Sequence, residues 1–436
     1  MLPRPPARAG RVAGVDYDRR PGATLKAAPA RTRRMTRILI AWEFGRHLGH
    51  LARDLPLARA CRDAGHEVVW AVPNLRGAAL QLAGEGFTLV QTPVIRPAAR
   101  NPAPPVNFAD MLLREGYDDA AALAGSLQGW LGLIRLVSPA VVVHDYAPTA
   151  LLAARVAGVP ALVVGGPFMV PAARRPLPSI RPWDKVPQSV LHDAETALVA
   201  RMNDCLEALK GAPLASLDEL FGRAPRYLTS FEELDPFGPR PEARYLGPVF
   251  ALGEQAAVAW SSSGRPRVFA YLRPDVPGCE ALLDALQATD AEVLCAMSGL
   301  PPSWPARFDR LRFVPGAIDL DLLLPGADLV VTSGSGTIAS SLLAGVPVLV
   351  LPQYVEQYLA GLCLHALGAG LTLREPQTTM GFLAMLNQLV AQPGPRAAAR
   401  AFAARHADHD RGRAAAVLFD ALQALVAGGA DAAAPG

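Results

Sequence analysis

The sequence predicts an α/β protein of two doubly wound, Rossmann-like domains, each built on a parallel sheet. Three observations carry this. Short apolar runs alternate with amphipathic segments of helix length along most of the chain. The runs are apolar almost throughout rather than at every second position, as strands covered on both faces require. The alternation lapses over a polar, proline-rich stretch and restarts near Arg267.

In order, "RILIAW" (37–42) precedes a helix from about Leu51 to Ala64, with Leu51, Leu55, Ala58 and Cys61 on one face. Then follow "EVVWAV" (67–72), a helix, "TLVQTP", and a longer helical region from Phe108 to Leu136. "AVVVHD" (140–145), another helix and "ALVVGG" (161–166) complete the first set. The second set is "RVFAYL" (267–272), "EVLCAM" (292–297), "LRFVPG" (311–316), "ADLVVTS" (327–333) and "PVLVLP" (347–352). The expected organisation is a disordered extension over 1–34, a domain over 35–249, a linker over 250–264, a second domain over 265–426 and a disordered tail over 427–436. Met35, two residues before the first strand, reads as the start of the folded part. Ligands of such sheets bind at the carboxyl ends of the strands, so the expected site is a cleft between the halves.

Composition narrows the function. The chain has 436 residues, of which 51% are hydrophobic and 19% charged, which excludes disorder and provides for two cores. The first 35 residues carry net +7 of the chain's +3, leaving the remainder at −4, so nucleic acid is not an expected partner. No apolar run of transmembrane length is read. The 1–34 segment has no apolar core of the secretory kind. Five scattered cysteines without a C-x-x-C point to reduced thiols and a cytoplasmic setting.

"VVTSGSGTIASSLLAGVPVLVLPQYVEQ" (330–357) holds the strongest local signal. Its "SGSGT" lies between a strand and a helix, where backbone N–H groups and the helix dipole favour an anion. Hydroxyls of Ser333, Ser335 and Thr337 add donors. The same letters also suit a tight turn capped by Ser335 or Thr337. Gly345 sits where a helix ends before Val-Pro.

The whole phrase resembles the donor signature of GT-B glycosyltransferases of the UDP-glucosyl/glucuronosyltransferase and macrolide-glycosyltransferase kind. That signature reads H-G-G-x-G-T-x-x-E-A-L-x-x-G-V-P, then an apolar strand, then P-x-x-x-D/E-Q-x-x-N-A. Gly334, Gly336, Thr337, Leu342, Gly345, Val346, Pro347, Pro352, Glu356 and Gln357 match without a gap. "GHLARDLPLARACRDAGHEV" (49–68) is similar to the family's N-terminal G-H-x-x-P-x-x-x-L-A-x-x-L-x-x-x-G-H-E-V. "FVPGAIDLDLLLPGADLVV" and "YLGPVF" with Trp260 resemble the W-V-P-Q segment and the interdomain linker. The resemblance covers roughly 36–400.

It implies a GT-B fold and an inverting transfer from a nucleoside-diphosphate sugar, most simply a UDP-sugar, to an acceptor hydroxyl. His50 corresponds to the catalytic base and Asp145 to the carboxylate that orients it. A neutral imidazole held by a carboxylate suits base chemistry near neutral pH. As an alternative, both residues cap helices. His47 and His144 are neighbouring candidates for the base, and His66 reads as structural. Ser335, Gly336 and Thr337 would hold the donor diphosphate, with Ser333 and Gly334 in the same turn. Glu356 and Gln357 would bind sugar hydroxyls. Phe313 would stack on the base, with Val314 offering backbone bonds, although core packing explains Phe313 equally well.

Several positions depart from the pattern. Thr332 replaces a diphosphate-contacting His, Ser340 a ribose-gripping Glu, Ala360 an Asn, Arg53 a Pro and Gly316 a Gln. Arg273 stands where the family has glycine, and a cation there would offset the leaving diphosphate. No cofactor and no metal are expected, the nucleotide sugar being a co-substrate. "DLD" (319–321) reads as part of a short helix and "HADHD" (406–410) as the solvated face of a terminal one. The basic segment 171–185, with Trp183, reads as an acceptor lid and leaves peripheral membrane contact open. The acceptor is a small or lipid-like molecule. "GHLAR" also resembles the G-H-x-x-R of a nucleotide-sugar hydrolase, and a degenerate sugar-nucleotide-binding protein is the other alternative.

Overall fold

The computed structural model describes residues 35–45, 49–97, 103–222, 224–251, 255–256, 258–261, 264–314 and 317–432. His47, Gly316, the 1–34 extension and residues 433–436 lie outside the described residues.

The first half forms a seven-stranded sheet from β1 (Arg37–Trp42), β2 (Glu67–Val72), β3 (Thr88–Gln91), β4 (Val141–Asp145), β5 (Ala161–Gly165), β6 (Arg226–Leu228) and β7 (Ala243–Tyr245). Its order is β3-β2-β1-β4-β5-β6-β7, and every pairing is parallel. A two-residue strand, β8 (Gln255–Ala256), follows. The second half adds β9 (Arg267–Leu272), β10 (Glu292–Met297), β11 (Arg312–Val314), β12 (Ala317–Ile318), β13 (Leu329–Thr332), β14 (Val348–Val350) and β15 (Gly370–Thr372). Its six-stranded sheet runs β11-β10-β9-β13-β14-β15, again all parallel, while β12 pairs with β8.

The continuous apolar runs are explained by two-sided burial. Along β1, Leu39 and Ala41 enter one core while Ile38, Ile40 and Trp42 enter the core on the opposite face. Helices must therefore cover both faces. The helix Gly49–Asp63 buries the expected Leu51, Leu55, Ala58 and Cys61. The expected single helix from Phe108 to Leu136 is broken. A helix Phe108–Leu112 passes into a wide turn, Leu113–Tyr117, and a new helix runs Ala120–Val137. Gly116 causes the break: its φ is +117°, and a Cβ there would meet the Arg96 carbonyl carbon at 2.9 Å. By length and composition alone the Ala120–Val137 helix is apolar enough to cross a membrane, although Ser126, Gln128 and Arg135 interrupt it. It buries Leu123, Leu127, Trp130, Leu131 and Ile134 in the core of the first sheet, which accounts for that composition.

The last helix, Arg411–Ala432, extends into the expected tail and packs on the first sheet, not the second. Leu418 and Leu422 are fully buried against β1, β2 and β4 side chains, each contributing about 1.5–3 kcal/mol. His66 is structural, as read: its ring nitrogens lie 2.7 Å from Thr36 Oγ1 and 2.7 Å from Gln423 Nε2. "HADHD" is not a solvated helix face. It is the junction between the helix Pro393–Arg405 and the last one. His406 Nε2 lies 3.0 Å from Glu233 Oε1, and His409 Nε2 lies 3.3 Å from the Pro248 carbonyl. These contacts fix the chain where it crosses between the sheets. Asp319 caps the short helix Leu320–Leu323, as "DLD" implied.

Candidate active site

In each sheet the strand order reverses beside the first strand of the half, between β1 and β4 and between β9 and β13. Loops that leave adjacent strands in opposite directions open a crevice there. Both crevices face a single cleft of about 1740 Å³. That exceeds an ordinary small-molecule pocket, at most about 1,000 Å³, and leaves room for two ligands.

His50 begins the helix after β1, and Asp145 ends β4, paired in register with Trp42. The topology thus brings together residues 95 positions apart. Nδ1 of His50 lies 2.8 Å from Oδ2 of Asp145, and both side chains are buried. The imidazole lies between two rings, stacked on Trp42 at 4.7 Å and near-parallel to Tyr146 at 6.4 Å. Tyr146 holds φ +49°, a conformation uncommon outside glycine, and its carbonyl accepts from the Phe44 N–H at 3.0 Å. His144 is no alternative base. Its Nδ1 accepts from the Ala147 N–H at 3.3 Å, its ring meets Phe221, and burial lowers its pKa to about 4.

Arg53, marked in the sequence as a departure from proline and as the arginine of the hydrolase-like G-H-x-x-R, belongs to the site itself. It lies one turn after His50, is buried, and pairs through Nη2 with Oδ1 of Asp145, while the same nitrogen lies 2.8 Å from His50 Nδ1. Asp54 is buried beside it, its Oδ1 3.7 Å from Arg53 Nε. Burial and then the Asp145 charge push the Asp54 carboxyl well above the usual range. Burial also pushes Asp145 upward, but Arg53 and His50 outweigh it and hold that carboxyl below the usual range. A signal existed in the sequence: an arginine where the resembling pattern has proline, on the inward face of a helix.

Across the cleft, Thr332 ends β13, and its Oγ1 accepts from the Gly334 N–H at 3.1 Å. Ser335–Leu343 is a helix, so "SGSGT" is the strand-to-helix turn expected. Gly334 has φ −89° and Gly336 lies within the helix, so neither glycine serves a left-handed turn. Gly336 is required for space: a Cβ there would stand 2.6 Å from the Phe250 ring. Ser335 Oγ donates to Glu356 Oε1 at 3.0 Å, and Gln357 Oε1 accepts from the Gln353 N–H at 2.7 Å. Ser333, Gly334, Ser335, Gly336, Thr337, Glu356 and Gln357 all line the cleft.

Arg273 lines it too, but is already paired with Asp275 at 3.0 Å. Phe313 is half-buried at its wall beside the more buried Val314. Ser340 is buried and accepts from Arg411 Nη2 at 3.1 Å, while Nη1 of that arginine binds Asp321 at 2.8 Å. A cation from the last helix therefore occupies the neighbourhood of the missing ribose-gripping acid, a residue the sequence reading did not identify. In the basic segment, Trp183 meets Tyr358 edge-on at 5.0 Å, and Arg181 pairs with Asp184. Among the described residues no group of three or more His, Cys, Asp or Glu is arranged to hold a metal ion.

Two facing parallel-sheet domains with this site at their shared cleft define a GT-B glycosyltransferase fold. Spinosyn rhamnosyltransferase SpnG superposes with a TM-score of 0.62 at 20% identity, covering 88% of this chain and all of that one. Glycosyltransferase VinC, solved in complex with DTDP, gives 0.61 at 18% identity, covering 91% and 100%. Residues 280–413 match the family described as erythromycin biosynthesis protein CIII-like, C-terminal domain. A PGL/p-HBAD biosynthesis glycosyltransferase of Mycobacterium tuberculosis (strain ATCC 25177 / H37Ra) is 27% identical over 409 residues, 86% of this chain and 90% of the relative. A PGL/p-HBAD biosynthesis rhamnosyltransferase of Mycobacterium bovis (strain BCG / Pasteur 1173P2) is 26% identical over 379 residues, 80% of each. These findings show a GT-B fold and support a glycosyltransferase, with the erythromycin CIII-like match confined to residues 280–413.

Proposed function

We propose that the chain moves a glycosyl group from a nucleoside-diphosphate sugar to an acceptor hydroxyl, with inversion at the anomeric carbon. One observation carries this reading: His50, backed by the fully buried Asp145, and the Ser333–Thr337 turn with Glu356 line a single cleft from opposite sheets. Nε2 of His50 takes the acceptor proton as the acceptor oxygen bonds to the anomeric carbon. The bond from that carbon to the diphosphate oxygen breaks, and the leaving charge meets the N-terminus of the Ser335–Leu343 helix. Asp145 accepts from Nδ1 and stays ionised throughout. Glu356 and Gln357 bind sugar hydroxyls, Phe313 flanks the base with Val314 beside it, and Arg273 exchanges Asp275 for the diphosphate. No metal takes part in this scheme.

The acceptor side carries an apolar group, Phe44, Ile95, Met111, Tyr146, Phe168 and Met169, beside the carboxyls of Glu43 and Glu115. We assign it to an aromatic or lipid-like alcohol. For the donor, the sequence reading favours a UDP-sugar. Ser340 bonded to Arg411 removes a carboxylate grip on a ribose diol, and the SpnG and VinC structures are named with thymidine diphosphate and DTDP. UDP- and dTDP-hexoses, including 6-deoxyhexoses, are therefore the donors to test. The experiment incubates each donor with and without a panel of phenols and long-chain alcohols, reading products by mass spectrometry and anomeric configuration by NMR. The expected result is donor consumption only with acceptor, unchanged by EDTA. Acceptor-independent hydrolysis would favour the nucleotide-sugar hydrolase instead.

A further inference from the structure

Arg53 creates a conflict at one nitrogen. Asp145 Oδ2 and Arg53 Nη2 both lie 2.8 Å from Nδ1 of His50. Nδ1 has one in-plane position. Protonated, it donates to Asp145 and leaves Nε2 bare and basic. Bare, it accepts from Arg53, and the ring proton sits on Nε2, where it blocks base chemistry. Because Arg53 also pairs with Oδ1 of Asp145, the carboxylate is held with its other oxygen towards the ring. The first arrangement satisfies both carboxylate oxygens. The second sets a bare nitrogen against an anionic oxygen. A doubly protonated ring would place two cations on one carboxylate in a buried site.

The other groups around the ring do not change this balance. Asp54, on the same helix, faces Arg53 Nε at 3.7 Å and bears on Asp145, and burial with the Asp145 charge pushes its carboxyl up, so it adds no second full anion beside the ring. Tyr146 presents its ring face. Glu43 and Glu115 line the same cleft, but Glu43 accepts from the Thr149 N–H. Glu356, from the second half, bears on Arg53.

We propose that Arg53 is a positioning residue that keeps His50 neutral with Nε2 bare, by anchoring Asp145 Oδ1 and by setting a fixed cation beside Nδ1. The assignment deepens the reading of His50 as base, and a measurement without substrate tests it separately. The 15N spectrum of labelled protein distinguishes the two neutral tautomers and the imidazolium. At neutral pH wild-type His50 is expected to show the Nδ1–H, Nε2-bare pattern. Arg53→Met should shift His50 towards the doubly protonated pattern, and Arg53→Lys should retain the wild-type one. In transfer assays Arg53→Met should lower kcat by about a hundredfold or more with donor KM little changed. An Nε2–H tautomer or an imidazolium in the wild type would overturn the proposal, as would identical His50 spectra in wild type and Arg53→Met. If Arg53→Met does not fold, the wild-type tautomer and Arg53→Lys decide. Expected spectra without any glycosyl transfer would leave the Arg53 assignment standing and sink the transferase reading.

Discussion

A Cβ on Gly45 would stand 2.5 Å from Nε2 of His50. Gly45 has φ +95°, so a side chain there is excluded by both backbone conformation and space. Gly45→Ala is expected to push the imidazole from its stack on Trp42. A base displaced by about 1 Å loses roughly a hundredfold in rate. Kinetics should show that fall with donor affinity unchanged, and a retained rate would mean that His50 does not act from this position.

His50→Ala should abolish transfer, at a cost of about a hundred- to ten-thousand-fold in rate, while donor affinity stays within a few-fold. Gln357→Ala should act in the opposite sense, weakening binding of the sugar nucleotide relative to the free nucleoside diphosphate. Calorimetric titration of both variants checks the pair. Equal losses in both would place the two residues on the same ligand.

Asp54 and Asp145 are both buried, yet opposite outcomes are expected for them. Burial and the Asp145 charge push the Asp54 carboxyl towards its neutral form, so the uncharged Asp54→Asn is expected to be tolerated. Melting temperature and activity should change little. Asp145→Asn leaves the buried Arg53 cation without its counter-charge, which costs about 3–5 kcal/mol. A thermal melt that drops as far for Asp54→Asn as for Asp145→Asn would show that Asp54 is ionised.

Glu43 gives a pH signature. Burial raises its pKa from 4.5 to about 7, against the hydrogen bond from the Thr149 N–H, which lowers it. Between those values the folded state holds a proton that the unfolded chain has released, so stability falls as pH rises through this window. Glu43→Gln removes that loss. The variant should match wild type below about pH 4.5 and exceed it above about pH 7, by roughly 3 kcal/mol at most. Denaturant unfolding at several pH values reads the difference directly. A constant offset across the range would count against the assignment.

By itself the sequence determined the alternation of strands and helices, the restart at Arg267 and the glycine-serine turn, because these depend on local periodicity and chain geometry. The resemblance also paired His50 with Asp145, and the physical reason that they meet is that β1 and β4 are neighbours. What only the tertiary structure decided were relations between distant side chains. Arg53 reads as a lost proline in the sequence, and becomes the partner of Asp145, 92 positions away, only once the chain has folded. Arg411 belongs to a helix that crosses back to the first sheet, yet its guanidinium reaches Ser340 in the second half. Gly336 looks like turn chemistry, but its necessity is the Phe250 ring from the segment that joins the two sheets. Local pattern reports which face of an element is buried. It does not report what lies against that face, and in this site the opposing residue sets each charge and each clearance.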